Sequence, residues 1–421
     1  MTKPRNWRRS RLLAGALSLT MIAAACGGRD DGDSASDTTS GSGGEEAAGG
    51  DSIIDTSICA DYQATEGVTD DTIKLGTSMP QSGPYAVFGG ILNGLKAYYD
   101  YQNSQGGIDG RKIELIAYDD EYKPDRTSDN VKKLVEEDKV FALVSVLGTQ
   151  NNLAVRDYLD ENCVPNLGVA TGSPQWGEAV QYPWLQGGIP SYALEMKRLV
   201  DYLEEVEPDA KIALLRQNDD FGDAYENSLE LLTKDNDMEL VATETYDAQA
   251  STDTKAQVDK LAQSDATVFV NGASGSQCPN TLKFVPDNWD VLTYVGITCN
   301  SKLALSLAGG KEEGIISTQA TLDPSNTEDQ KDPAMQEFLT ESVKHGLTAD
   351  EAQLGVAALG WSFGAMTTEL LEKSPELTRE DVMKTAWSMD SDAVGLMLPN
   401  SGLVTDGGND PWLLESLRIV K

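Results

Sequence analysis

Three short stretches of the chain gather hydroxyls and glycines in a form that can hold a small anion. They are Pro80-Gln81-Ser82-Gly83-Pro84-Tyr85-Ala86-Val87-Phe88-Gly89, Leu147-Gly148-Thr149-Gln150-Asn151 and Ala170-Thr171-Gly172-Ser173. Each offers side-chain oxygens or free backbone N–H groups where a helix would start, the equipment that holds a carboxylate. Taken singly, Ser82, Thr149 or Thr171 reads as a plain helix cap; three such loops in register read as a site. A second set, Asp219-Asp220-Phe221-Gly222, Ala273-Ser274 and Thr298, occupies corresponding places further along. Phe221, Phe88 and Tyr85 would wall an apolar pocket beside the polar groups that Gly148, Gln150 and Ala170 help to frame.

Catalytic chemistry finds little material. The 421 residues include one histidine, His345, on which a Ser-His-Asp triad, a Cys-His pair or a multi-histidine metal site would have to be built. His345 precedes Gly346 at an expected helix end, where histidine complements the dipole and glycine caps the terminus. Gly272-Ala273-Ser274-Gly275-Ser276 fails the nucleophile-elbow pattern at its last position, and no phosphate-loop or dinucleotide glycine pattern occurs. No enzyme activity, cofactor or metal is expected. With 68 acidic against 33 basic residues the net charge is −35, which repels phosphate backbones and anionic headgroups. Nucleic acid is excluded as a partner.

These loops need rigid elements behind them. From residue 72 onward, short β-rich apolar runs alternate with helical patterns: strands over 73–77, 112–117, 141–146 and 164–169, with helices over 89–105, 124–136 and 152–161 between them. After Gly187-Gly188-Ile189-Pro190 the alternation resumes, with strands over 211–215, 239–246, 266–270 and 291–295. Helices are expected there over 192–206, 223–236, 254–263, 279–285 and 303–307. Such alternation implies right-handed βαβ units and parallel sheets covered on both faces. The expected fold is α/β, two doubly wound parallel-sheet lobes joined by a hinge of several segments. Three consecutive helices over 333–345, 349–371 and 379–387 would recross to cover the first lobe, and a last strand over 411–420 would return to the second. The lobes are thus 58–188 with 319–397 and 189–318 with 398–421. In open α/β sheets ligands bind beyond the carboxyl ends of the strands, where the two sets of loops fall.

The chain opens with an export signal. Lys3, Arg5, Arg8, Arg9 and Arg11 precede an apolar run of about 14 residues from Leu12 to Ala25, too short for the roughly 20 a spanning helix needs. Ile22-Ala23-Ala24-Ala25-Cys26-Gly27 resembles the lipobox of bacterial lipoproteins, in which the cysteine is acylated. Residues 1–25 are read as a lipoprotein signal peptide and 26–57 as an acidic Gly/Ser tether, too poor in large apolar residues to fold. Removal of the five basic residues leaves 28 basic against 68 acidic. Four cysteines remain after Cys26; of the three possible connectivities we expect Cys59–Cys163 and Cys278–Cys299.

Ile73-Lys74-Leu75-Gly76, Ser82-Gly83-Pro84 and Phe88-Gly89 together resemble the start of the branched-chain amino-acid (Leu/Ile/Val) binding family of ABC-transporter solute-binding proteins. Gly106-Gly107-Ile108-Asp109-Gly110-Arg111, Tyr118-Asp119-Asp120, Ala170-Thr171 and Asp220-Phe221-Gly222-Asp223 continue the resemblance. It implies a type I periplasmic-binding fold with two lobes, three crossovers and a small ligand between them. It also implies a monomer on the outer face of the cytoplasmic membrane, delivering its ligand to an ABC permease; a ligand-sensing lipoprotein reporting to a signalling partner is the alternative. Amino-acid binders of this family hold the ligand ammonium with a carboxylate in the second lobe, where this chain has Gly296-Ile297-Thr298-Cys299-Asn300. A tyrosine common among them is here Phe88. Either Asp219 or Asp220 supplies the charge, or the ligand is a small acid or amide.

Overall fold

In a computed structural model of the chain, residues 53–250 and 253–421 are described. The expected leader over 1–25, the expected lipidation site Cys26 and the expected tether as far as residue 52 lie outside the described residues. The tether ends earlier than its expected limit at residue 57: Ile54 is buried in the first core. Thr56–Ile58 form a turn capped by Asp55, whose carboxylate accepts the Ser57 N–H at 2.9 Å.

The first sheet comprises β1 (Thr72–Ser78), β2 (Lys112–Tyr118), β3 (Ala142–Val144), β4 (Asn166–Val169) and β5 (Leu185–Gly187), paired in parallel in the order β2-β1-β3-β4-β5. Between strands run α1 (Gly89–Ser104), α2 (Pro124–Glu136) and α3 (Thr149–Glu161). Helix α1 buries Ile91, Leu92, Leu95 and Tyr99 along one stripe. It stops at Gly106 and Gly107, both left-handed at φ 115° and 74°. Pro124 occupies the first turn of α2, as its fixed φ favours.

The second half contains α4 (Tyr192–Val206), β6 (Lys211–Gln217), α5 (Asp220–Leu232), β7 (Glu239–Tyr246), α6 (Lys255–Leu261), β8 (Val268–Gly272), α7 (Gln277–Lys283), β9 (Leu292–Val295) and α8 (Lys302–Ser306). Its strands pair in parallel in the order β7-β6-β8-β9. Ile212 and Leu214 face one core while Ala213 and Leu215 face another, so β6 is buried on both sides. A parallel bridge from Tyr294 to Ile316 leads into β10 (Ser317–Gln319).

Three helices follow: α9 (Pro333–Lys344), α10 (Gly355–Lys373) and α11 (Arg379–Ala386). They pack against residues of the first half. Helix α10 lies on α1 at backbone contact: a Cβ on Gly94 would sit 1.9 Å from the Ala357 carbonyl oxygen, and one on Gly360 equally close to that of Ile91. Helix α10 begins later than the expected residue 349. Thr348 and Glu351 form a reciprocal cap around a separate turn, and extended Leu354 interrupts the helical path.

Four short strands were not anticipated: β5, β10, and the hairpin of β11 (Asp390–Asp392) and β12 (Gly402–Val404). The last strand shortens to β13 (Arg418–Val420), because β10 offers an antiparallel partner for three residues only. Leu403, Leu413 and Leu414 pack into the first core. The chain therefore returns to the second half near Arg418, later than the expected boundary at 398. Both expected disulfides form, Cys59–Cys163 and Cys278–Cys299, with Cα–Cα distances of 5.6 and 6.0 Å. No helix among the described residues is long and apolar enough to cross a membrane.

Candidate ligand-binding cleft

The carboxyl ends of both sheets point at one cavity of about 130 Å³. From the first half it is lined by Phe88 after β1, Gly148 after β3 and Ala170 and Thr171 after β4. From the second half come Phe221 at the start of α5, Ser274 after β8 and Thr298 after β9. These seven expected residues, far apart in sequence, share one wall-to-wall space.

The polar end is built around α3. Gly148 precedes that helix at φ 99°, and a Cβ there would lie 2.6 Å from the Tyr122 ring. Only glycine fits. The first N–H groups of α3 have no partner within the helix and carry the positive end of its dipole. Behind them the Thr149 hydroxyl meets that of Thr171 at 2.6 Å, and Thr171 in turn meets the Tyr192 hydroxyl at 3.2 Å. Thr149 is wholly buried and stands behind the cavity surface; Thr171 is the hydroxyl on it.

The remaining expected residues fall elsewhere. Ser82 lies outside the cavity, because its hydroxyl donates to Asp119 at 2.6 Å on the exposed side of the loop. Tyr85 is wholly buried and its hydroxyl donates to Gln217 of the second half at 2.6 Å. Gln150 donates its side-chain amide to Asp220, again from half to half. The Ser276 N–H reaches the Pro84 carbonyl at 3.0 Å, and the Gln249 amide reaches that of Tyr122 at 2.8 Å. The cleft is closed by direct protein bonds beside the cavity.

Residues the sequence reading did not single out complete the wall. Tyr122 stacks on Tyr85 with ring centroids 3.8 Å apart. It is left-handed at φ 62°, as is Glu121 at φ 52°, and the pair is held by bonds from their N–H groups to Asp120 and Asp119. The Tyr118-Asp119-Asp120 run was the available signal, but not for a turn that delivers the next aromatic. Ile91, Val356, Leu359 and Leu322 form the apolar end, supplied by α1, α10 and the segment after β10. Tyr192 packs edge-on to Phe221 at 5.2 Å.

Charges are sparse and mostly committed. Asp219 caps α5, accepting the Phe221 and Gly222 N–H groups and the Gln217 amide. Asp120 accepts the Ser78 and Thr127 hydroxyls, and Glu195 accepts the Tyr225 and Tyr294 hydroxyls and the Ile297 N–H. Burial pushes all three carboxyls above their ordinary range. Among the residues lining the cavity the only charged one is Asp323; none is cationic. No cluster of metal-ligating side chains occurs among the described residues.

The sequence pattern of the periplasmic binding proteins matches residues 72–408. The chain belongs to the periplasmic binding protein family. It is therefore an extracytoplasmic binding protein rather than an enzyme. Among curated relatives, the leucine-specific-binding protein of Salmonella typhimurium is 23% identical over 282 residues, 64% of this chain and 76% of that one. A branched-chain amino-acid ABC transporter protein from Thermus thermophilus, solved with bound valine, superposes with a TM-score of 0.74 at 16% identity, covering 84% of this chain and 94% of that one. A fatty acid ABC transporter substrate-binding protein from Thermomonospora curvata gives 0.68 at 19% identity, over 85% and 90%. Two parallel sheets of five and four strands in this arrangement are the type I form of the periplasmic binding protein fold.

Proposed function

We propose that this periplasmic binding protein is the lipid-anchored receptor of an ABC importer. It captures one small solute with a polar head and an apolar body, a hydrophobic amino acid or a related acid or amide. The lobes, 58–188 with 319–397 and 189–318 with the terminal strand, close on the solute, and the complex is delivered as a monomer to a membrane permease. Acylated Cys26 holds the chain at the outer face of the cytoplasmic membrane. The observation that carries this reading is the cavity at the carboxyl ends of both sheets, polar at the start of α3 and apolar between α1 and α10. The ligands named for the Salmonella, Thermus and Thermomonospora proteins, leucine, valine and fatty acid, support the size and apolarity of the solute.

A bound solute can shift an open–closed equilibrium only through its higher affinity for the closed form. A thermal-shift panel of amino acids, short acids and amides tests the reading. At 100 times Kd a bound solute stabilises by about 2.7 kcal/mol. The same solute should reduce the radius of gyration in solution scattering. A panel in which no compound stabilises or compacts the chain overturns the proposal, and co-isolation of a permease tests the transport step.

A further inference from the structure

We propose that the solute is an apolar monocarboxylate that lacks an ammonium group, an inference that rests on the reading of this cavity as the solute site. An ammonium group taken out of water without a counter-charge is penalised by several kcal/mol. Asp219, Asp220 and Glu195, three acidic side chains of the second half, do not supply one. Asp219 is spent on the α5 cap, Asp220 takes the amides of Gln150 and Gln175, and Glu195 is closed off by Tyr225, Tyr294 and the Ile297 N–H. None of them lines the cavity.

In their place the second half presents Thr298, whose hydroxyl oxygen is buried at the cavity wall without a hydrogen-bond partner. A hydroxyl there can donate to a carboxylate but cannot neutralise a cation. Thr171 across the cleft is likewise a neutral hydroxyl, and the start of α3 favours negative charge. Asp323, the one charged residue on the wall, directly follows Leu322 of the apolar end in the segment after β10 rather than standing at the start of α3, and its Oδ1 accepts the Ser325 N–H at 2.8 Å. The polar end thus suits an anion, and the end formed by Phe88, Ile91, Val356 and Leu359 suits a hydrocarbon body.

Titration calorimetry of the full chain with leucine and with 4-methylpentanoate, the same skeleton without its amine, tests this. The acid is expected to bind at least tenfold more tightly than leucine. Leucine binding equally well or better overturns the inference and leaves the solute-binding reading intact. Mass spectrometry of the compound retained by the chain purified from its own cells is the second arm. A retained nitrogen-free acid supports the inference even where 4-methylpentanoate is the wrong shape, and a retained amino acid overturns it. An empty protein that binds neither probe overturns both the inference and the reading beneath it.

Discussion

The ring of Tyr85 lies 3.8 Å from that of Tyr122, inclined by 10°, while its hydroxyl crosses to Gln217 of the other half at 2.6 Å. One side chain therefore ties two loops of the first half together and bonds the second half to both. Gln217 also accepts from the Tyr246 hydroxyl at 3.1 Å, and Tyr246 accepts the Ser274 N–H at 3.0 Å, so the tie reaches the cavity wall. Tyr85→Phe keeps the stack and removes the crossing bond. A buried hydrogen bond contributes about 0.5–1.5 kcal/mol, so solute affinity should fall by roughly two- to tenfold. The loss is expected in a faster dissociation rate, measured by stopped-flow fluorescence. An unchanged rate would show that this bond does not hold the closed form.

Thr149 and Thr171 differ in what they touch. Thr171 lines the cavity and Thr149 supports it from behind at 2.6 Å. Thr171→Ala should weaken binding more than Thr149→Ala, because it removes the hydroxyl on the cavity and also leaves the buried Thr149 hydroxyl without its partner; the double change should weaken it by more than about tenfold. Calorimetry on the three variants checks the order. Equal affinities throughout would remove both hydroxyls from solute recognition.

The two disulfides should have different consequences. Cys278–Cys299 ties the start of α7 to the turn Ile297–Cys299, and so pins the Ser274 loop to the Thr298 loop. Cys59–Cys163 joins the entering chain to the end of α3 away from the cavity. Each cross-link constrains the unfolded chain by roughly 3–5 kcal/mol in the loop-entropy model. Removing either pair with serine should lower the melting temperature. Only the Cys278/Cys299 pair should also lower solute affinity, and equal affinity losses from both would contradict the assignment.

Asp160 gives the chain a pH signature. Burial, assisted by Asp157, pushes its carboxyl up to about 6, and its Oδ1 is buried without a partner. The unfolded chain releases that proton near pH 3.9. The folded state thus holds a proton that the unfolded state has lost, so the stability present below about pH 4 declines as pH rises through about 6. Asp160→Asn should raise the melting temperature at pH 7.5 by roughly 2–4 °C and change it little at pH 4. A melting curve shifted equally at both pH values would show that the charge is not the cause.

The legible part of the site was the part carried by strand-to-helix transitions. Gly148, Thr171, Ser274 and Thr298 each follow an apolar β-rich run, and position beyond a strand end is enough to place them at the cleft. Tyr122, Tyr192 and Leu359 were missed because nothing in their local sequence separates a cavity wall from ordinary core. Ser82 was placed in the site on its loop alone; its hydroxyl turned to Asp119, a bond between segments 37 residues apart.

By itself, the amino-acid order determined the α/β alternation, the even number of cysteines after Cys26, the run of three helices near the end of the chain, and the poverty of catalytic side chains. Those follow from periodicity, turn chemistry and composition, which act over neighbours in the chain. Only the tertiary structure decided which carboxylates reach the cavity. Asp219, Asp220 and Glu195 look equally free in sequence, yet each is consumed by N–H, amide or hydroxyl donors brought by folding. A buried carboxylate is stable only with such partners, and packing, not sequence position, assigns them.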